Sequence, residues 1–412
     1  MTALVLVFLT SWIVLPAPNR PLLTLGVVAP EVSAWFALGC LGVLVLTLGA
    51  AGRDKVARVT LALTVVATVL AAVPLVRLPF VVRRFDRTIQ TALGDDFLRD
   101  VPADRRARMR PAPIVFFDLF RGIDVGEARV TRDIPFAAPD GVRLTLDIYR
   151  PVSVGRHPSV VQIYGGAWQR GAPGDDARFA TYLAARGFVV FAIDYRHAPR
   201  WQWPAQIEDV RAALGWIRDH GGAYDADVSR LALIGRSAGA HLAMVAAYEP
   251  GARPGMPAMA IQAVVSYYGP VDLADGHRNP PSPDPLDVRS IEEAFLGGTP
   301  DQVPDRYRDA SPITYVSGRL PPSLLIYGSR DHVVLARFGA MLDDRLRAAG
   351  ATSVFLQIPW GEHAFDAIPN GLSGQLSLYY TEEFLVWALV RPHPFVSRQV
   401  DFCPPSRSFS AP

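Results

Sequence analysis

The chain has 412 residues, 50% of them hydrophobic, and its 41 basic and 39 acidic residues give a formal net charge of +2. A charge so close to zero indicates neither a nucleic-acid partner nor an acidic substrate. The two cysteines, Cys40 and Cys403, indicate neither a disulfide framework nor a metal cluster. The length excludes a single small domain, and the apolar content is unusual for an ordinary soluble protein.

The apolar excess is concentrated in residues 1–82, which we predict to be a membrane region with two to three transmembrane helices. The runs Val32–Ala51 and Val59–Val76 carry no charged residue, and about twenty helical residues cross the hydrocarbon core of a bilayer. They also lack the polar stripe of a soluble core helix. Thr2–Leu15 is shorter and would make a third span. A signal peptide is the alternative, although a basic start and a clear cleavage site are missing.

The basic residues near these runs favour opposite orientations under the positive-inside rule. They are Arg53, Lys55 and Arg58 before the last predicted span, and Arg83, Arg84 and Arg87 after it. With three spans and the short loop inside, the large domain that follows would face outward. We therefore predict a multi-pass membrane protein, with the extracytoplasmic orientation of its large domain slightly favoured.

Residues 83–126 form a charged connector with helical spacing, which would lie along the membrane surface or form a solvated helix. From residue 127 the pattern changes, and we predict an α/β domain over 127–392 and a C-terminal tail over 393–412. "ARVTRDIPF" and "VRLTLDIYR" alternate apolar and polar residues around "APDG", which predicts a hairpin.

Buried strands then alternate with helices to the end of this domain. The strand segments are "SVVQIYGG", "FVVFAIDYR", "RLALIG", "AIQAVVSYYG", "SLLIYG" and "SVFLQIP". The predicted helices are Asp175–Arg186, Ile207–His220, Ser237–Tyr248, Val333–Ala349 and Gln375–Val390. This alternation predicts a doubly wound, mostly parallel sheet with an antiparallel edge.

The alternation breaks at about 273–311 into Pro- and Gly-rich sequence with one short predicted helix. An insertion of this length is uncommon in a compact domain unless it is a lid or a binding loop. We therefore predict a small lid here.

Ser237 lies at the centre of "GRSAG", between a predicted buried strand and a predicted helix. This context is typical of the G-x-S-x-G nucleophile turn, in which small residues two positions away let the backbones pass. A serine nucleophile needs a base and an acid that orients the base. Asp331 and His363 follow late strands in the required order. Glu362 and Asp366 are too close to His363 in sequence to fit that order.

The reaction also needs donors for the oxyanion of the tetrahedral intermediate. We predict that they are the amides of Gly165, Gly166 and Ala167, in the glycine-rich loop "IYGGAWQRG", and of Ala238. We expect four side chains to line the substrate pocket: Tyr164, Trp168, His197 and Tyr268.

These motifs resemble a known family. From about Val125 to Val390 the chain is similar to the α/β-hydrolases of the carboxylesterase group that includes hormone-sensitive-lipase-like esterases. "GRSAGAHLA", "GEHAFD", "DYRHAP…WPAQIEDV" and "YRDASPITYV" look like the branch of kynurenine formamidases, feruloyl-esterase-like hydrolases and prenylcysteine methylesterases. One departure is Tyr164, where the family usually has a histidine that braces the oxyanion loop.

The resemblance implies a Ser-His-Asp hydrolase of carboxylic esters with no metal and no organic cofactor. Its expected substrate is a small-molecule or lipid ester, and we expect a membrane to be its other partner. Two alternatives remain: an amidase of the arylformamidase type and a catalytically inactive membrane scaffold. The oligomeric state is not indicated by the sequence.

Overall fold

The computed structural model describes residues 1–48, 55–249, 260–318 and 320–391. The predicted tail 393–412 lies outside the described residues. Six described helices precede the first strand: α1 (Thr2–Ser11), α2 (Arg20–Glu31), α3 (Ser33–Leu48), α4 (Lys55–Leu93), α5 (Ala103–Arg106) and α6 (Asp118–Arg121).

The prediction of a multi-pass protein is not supported by these helices. Among the described residues, α4 alone is long and apolar enough to cross a membrane, and α2 and α3 meet the same test only together, across a bend of 77°. The predicted first span is the ten-residue α1, which is half the length that a bilayer requires. The second corresponds to the 16 residues of α3, and residues 49–51 of that span lie outside the described part.

The predicted boundary at residue 82 falls inside α4, so the start of the charged connector is not a separate helix. One face of the last turns of α4 is apolar, and Val81, Phe85 and Ile89 are buried there in the core of the α/β domain. Tyr380 donates a hydrogen bond to Asp86 of the same helix (2.7 Å). A single helix therefore joins the apolar N-terminal region to the domain.

The rest of the connector is neither a solvated helix nor a membrane-surface helix, because it is folded against the α/β domain. Its helices α5 and α6 have four residues each. The buried Arg110 pairs with Asp118 (3.0 Å), contacts Gln375, and donates its backbone N–H to Glu382 (3.0 Å). All three partners are side chains. Two of them compensate the buried guanidinium, as a buried charge requires, and the third accepts the backbone N–H.

An eight-stranded sheet forms the centre of the α/β domain. Its strands are β1 (Arg129–Ala137), β2 (Leu144–Arg150), β3 (His157–Ile163), β4 (Val189–Ile193), β5 (Ala226–Arg236), β6 (Ile261–Tyr267), β7 (Ser323–Gly328) and β8 (Ser353–Ile358). The order is β1-β2-β4-β3-β5-β6-β7-β8; β2 is antiparallel to both neighbours, and all pairs from β4 to β8 are parallel. The predicted mostly parallel sheet with an antiparallel edge is confirmed.

Helices cover both faces of the sheet, which is why its central strands are continuous apolar runs. The remaining helices are α7 (Ala177–Ala185), α8 (Ala205–His220), α9 (Ala238–Tyr248), α10 (Leu273–Arg278), α11 (Val288–Leu296), α12 (Pro304–Ala310), α13 (Arg337–Ala348) and α14 (Leu372–Leu389). The segment predicted as a lid, about 273–311, holds three short helices, α10 to α12, where one was expected. We call this segment the lid.

Candidate active site

Ser237 lies in a sharp turn between β5 and α9, with a φ of +51° that side chains rarely adopt. A methyl group on Gly235 would overlap the backbone of Gly239, and one on Gly239 would overlap the carbonyl oxygens of Ile163 and Tyr164. Only glycine fits at both positions. The predicted reason for the G-x-S-x-G spacing is thus visible in the backbone contacts.

His363 connects the serine with the predicted acid. Its Nε2 lies 3.0 Å from Ser237 Oγ, and its Nδ1 lies 2.9 Å from Asp331 Oδ2. The other carboxylate oxygen of Asp331 accepts the backbone N–H groups of Val333 and Val334, at 2.8 and 2.7 Å. The three residues that the sequence analysis selected are therefore in hydrogen-bond contact, and the carboxylate is held in place.

The environment of His363 favours its charged form. Burial by itself lowers the pKa of the imidazole, but the charge and hydrogen bond of Asp331 outweigh burial, with smaller contributions from Glu362 and Asp366. The net pKa of His363 is therefore raised above its usual value. Glu362 also orients the loop, because its Oε1 accepts the backbone N–H of His363 (2.9 Å) and of His332 (2.7 Å).

The glycine-rich loop after β3 lies against the serine turn. A methyl group on Gly165 would come within 2.8 Å of the Arg236 carbonyl oxygen and 3.3 Å of Ser237 Cβ. No described residue accepts a hydrogen bond from the amides of Gly166 and Ala167, and Ala238 is the first residue of α9, where helical amides have no intrahelical acceptor. The loop and the helix start thus present unpaired donors beside the nucleophile.

Tyr164 braces this loop from behind. Its hydroxyl donates to Asp194 Oδ1 (2.5 Å) and lies 2.9 Å from His197 Nε2, and its ring stacks on Tyr195 at 4.5 Å. Burial raises the pKa of the Tyr164 phenol and lowers the pKa of His197. Tyr164 therefore holds the loop through its hydrogen bonds to Asp194 and His197 and its ring contact with Tyr195.

A cavity of about 660 Å³ opens above Ser237 and His363. Three of the four residues predicted for the substrate pocket, Tyr164, Trp168 and Tyr268, line this cavity. The fourth, His197, is not among the described lining residues, because its ring is held behind the loop by Tyr164. The lid contributes Gly276, Val288, Ile291 and Glu292 to the cavity wall.

One feature of the cavity wall was missed by the sequence analysis. Arg236, the residue before the serine, bonds Asp366 (2.5 Å) and Asp176 (3.3 Å), and Asp366 also accepts the Tyr268 hydroxyl (2.5 Å). The sequence signal that could have identified Arg236 as a residue of the site is its position directly before Ser237 in the G-x-S-x-G motif. Asp366 is therefore engaged elsewhere, whereas Asp331 contacts His363.

Known proteins with similar sequences are esterases by name. Residues 146–346 match the family model BD-FAE. The chain is 32% identical to esterase LipQ of Mycobacterium tuberculosis over 249 residues, which is 58% of each chain. It is 27% identical to the isoprenylcysteine alpha-carbonyl methylesterase ICME of Arabidopsis thaliana over 56% of this chain and 58% of that protein. The matched part spans little more than half the length of these relatives.

The fold is shared with solved structures. The thermophilic esterase Est2 of Thermogutta terrifontis, bound to propionate, aligns with a TM-score of 0.54 and 24% identity over 66% of this chain and 99% of its own. The α/β domain of this chain therefore has the α/β-hydrolase fold, and its sequence is similar to the carboxylesterase group that includes hormone-sensitive-lipase-like esterases and prenylcysteine methylesterases.

Proposed function

We propose that this protein is a membrane-anchored serine hydrolase that cleaves carboxylic esters. The observation that carries the proposal is the hydrogen-bonded series Ser237–His363–Asp331, at 3.0 and 2.9 Å, at the floor of a cavity large enough for a small-molecule ester. The esterase names of the similar M. tuberculosis proteins support it.

In the first half of the reaction, Ser237 Oγ attacks the ester carbonyl carbon while His363 Nε2 takes the hydroxyl proton. The carbonyl oxygen becomes an oxyanion and accepts hydrogen bonds from the amides of Gly165, Gly166, Ala167 and Ala238. Each such donor is worth on the order of 10²–10³-fold in rate. The carbon–oxygen bond to the alcohol then breaks, and His363 returns the proton to the leaving oxygen.

In the second half, a water molecule gives a proton to His363 and attacks the acyl carbon. The bond to Ser237 breaks, the serine regains its proton from His363, and the carboxylic acid leaves. Asp331 stabilises the imidazolium in both halves and keeps Nδ1 protonated. The raised pKa of His363 is the expected consequence of this pairing.

The membrane part of the proposal depends on α3 and α4. Their outward side chains are apolar, including Leu41 and Val45 on α3 and Val66 and Val69 on α4, all of them exposed. Exposed contiguous apolar surface of this kind is typical of a membrane or protein contact. Because α4 continues into the domain core, the domain would be fixed to the bilayer by one continuous helix.

A cluster of aromatic side chains near the start of α3 also supports a membrane contact. Trp35, at the start of α3, packs edge-on against Phe120 (4.8 Å) and donates to the Leu119 carbonyl oxygen (3.3 Å). Phe116 packs on Phe120 at 5.3 Å, and Phe116 and its neighbour Phe117 are 62% and 71% exposed. Aromatic rings concentrate at membrane–water interfaces, so we propose that this cluster lies at the headgroup level.

The serine mechanism is tested by labelling the purified full-length protein with a fluorophosphonate probe and by measuring turnover of p-nitrophenyl esters of increasing acyl length. We expect labelling and turnover in the wild type and loss of both in Ser237→Ala. A wild type that is not labelled would favour the inactive scaffold. Faster turnover of N-formylkynurenine than of every ester would favour the amidase.

The membrane anchor is tested on the full-length chain expressed in cells. We expect the protein to stay with the membrane fraction after an alkaline carbonate wash and to be released by detergent. Release by carbonate alone would contradict a spanning helix. Protease digestion of intact and opened cells then reports on which side the α/β domain lies.

A further inference from the structure

The lid carries one charged side chain that the proposed reaction does not use. Glu292 lies on the buried face of α11 together with Val288, Phe295 and Leu296. It is 3% exposed and lines the same cavity as Ser237 and His363. An acidic residue at a core position of an amphipathic helix is unusual, because burying a charge costs free energy unless it is paired.

Within the described part of the chain, Glu292 has no partner for its charge. Its Oε2 is buried and has no hydrogen-bond partner within the described residues, and no described basic residue is within ion-pair distance of its carboxylate. Its neighbour Glu293 differs, because that half-exposed carboxylate pairs with His277 (2.8 Å). A buried polar group without a partner in a native protein needs an explanation, and a ligand is one.

The charges around Glu292 are of the same sign. Burial raises the pKa of Glu292 well above its usual value, and the negative charges of Asp272, Asp284 and Asp275 raise it further. Each of the three has a structural partner: Asp272 accepts the Asp275 N–H, Asp284 accepts the Val288 N–H, and Asp275 pairs with Arg337. Of these four carboxylates, Glu292 is the one for which the described residues provide no partner, and it lines the cavity.

The walls beside the carboxyl group are apolar, with Val288, Ile291, Val334 and Phe338 lining the cavity. Gly276 of α10 faces the carboxylate, because a methyl group there would come within 2.8 Å of Glu292 Oε1. An apolar enclosure with one unpaired acidic group in a negative field suits an organic cation with alkyl substituents.

We propose that Glu292 is a specificity residue that binds an alkylated ammonium group of the substrate, so that the preferred esters carry a quaternary or protonated amine. The inference rests on the proposed ester hydrolysis. The ammonium group takes no part in bond making or breaking. Burial favours the protonated form of Glu292 before the cation binds, so the carboxyl group gives its proton to solvent as the cation binds and becomes its ion-pair partner. This contact places the ester carbonyl at Ser237.

The test compares cationic esters with neutral carbon isosteres on the full-length protein. In the first pair, butyrylcholine carries a trimethylammonium group in its alcohol part and 3,3-dimethylbutyl butyrate carries the neutral tert-butyl group in the same place. In the second pair, the p-nitrophenyl esters of 4-trimethylammoniobutyrate and 5,5-dimethylhexanoate carry the same two groups in the acyl part. In at least one pair we expect kcat/KM to favour the cation by on the order of tenfold in the wild type. The ratio should fall to about one in Glu292→Gln, an isosteric change that removes the charge, and should stay high in the control Glu293→Gln.

A measurement on the wild type alone keeps the inference testable if Glu292→Gln does not fold. Choline should inhibit hydrolysis of neutral p-nitrophenyl butyrate at lower concentration than 3,3-dimethylbutan-1-ol. Equal inhibition, no preference in either ester pair, or an unchanged ratio in Glu292→Gln would overturn the inference. If neutral esters are hydrolysed, such a result leaves the proposed function intact; if no ester is hydrolysed and no probe binds, the proposed function itself has failed.

Discussion

The two ends of the cavity differ in how their ionisable groups are paired. At the serine end, Asp331 is held by His363 and two backbone amides, and Asp366 is held by Arg236 and Tyr268. At the lid end, Glu292 has no partner among the described residues. A site whose groups hold each other is ready for chemistry before substrate arrives, whereas an unpaired group is stabilised only when a ligand binds. The paired groups at the serine end therefore suit catalysis, and the unpaired Glu292 at the lid end suits substrate specificity.

The largest effect should come from the acid that contacts His363. We expect Asp331→Asn to lower kcat for p-nitrophenyl butyrate on the order of 10⁴-fold, because the imidazolium loses its partner and the wrong tautomer is favoured. Asp366→Asn is the matched control and should cost less than about tenfold, because Asp366 bonds Arg236 and Tyr268. Equal losses in the two variants would contradict the assignment of Asp331.

The pH profile of the serine end should also respond to charge. His363 must be neutral to accept the serine proton, so kcat/KM rises as pH passes its pKa, which is raised above the usual 6.5. Glu362→Gln removes a nearby negative charge that favours the imidazolium. The acid limb should therefore move to lower pH, by up to about one unit. Glu293→Gln, in the lid, should leave the limb unchanged; a shift to higher pH in Glu362→Gln would contradict this electrostatic account.

At the lid end of the cavity, the negative charge of Glu292 should lower the stability of the folded protein. The pKa of Glu292 is higher in the folded state than in the unfolded state, so the folded protein binds this proton more tightly. The stability that the proton contributes is therefore present below the unfolded pKa and is lost as pH rises through the folded pKa. We expect Glu292→Gln to raise the free energy of unfolding by about 1–3 kcal/mol at pH 8 and by less at pH 5. Denaturant titrations at both pH values measure it. A variant that is less stable than the wild type at pH 8 would indicate an unseen partner.

The smallest effect on activity is expected behind the oxyanion loop. Tyr164→Phe removes the hydroxyl that bonds Asp194 and His197 but keeps the ring stacked on Tyr195. We expect a loss of about 1–2 kcal/mol of stability, with kcat reduced less than about tenfold, because Gly165 still packs against the serine turn. Thermal unfolding and ester turnover measured on one preparation separate the two effects. A loss as large as that of Asp331→Asn would instead make Tyr164 part of the reaction itself.

Outside the lid, the amino-acid sequence by itself determined the order of strands and helices from residue 127 onward, and it selected Ser237, Asp331 and His363. Each of these signals is local: an apolar run long enough for a buried strand, glycines two positions from a serine, and polar residues directly after a strand. Because parallel strands end at one edge of the sheet, local positions were enough to bring the three residues together.

Only the tertiary structure decided how distant segments pair. The apolar composition near the N-terminus did not reveal that α4 continues past residue 82 into the domain core, since that depends on the surface against which Val81 and Phe85 pack. Arg236 and Asp366 are 130 positions apart, and His197 is withdrawn from the cavity by Tyr164. Glu292 looks in sequence like any acidic residue of a short helix. Its isolation follows from which side chains surround it after folding, and pairing of this kind is set by three-dimensional packing, not by local sequence pattern.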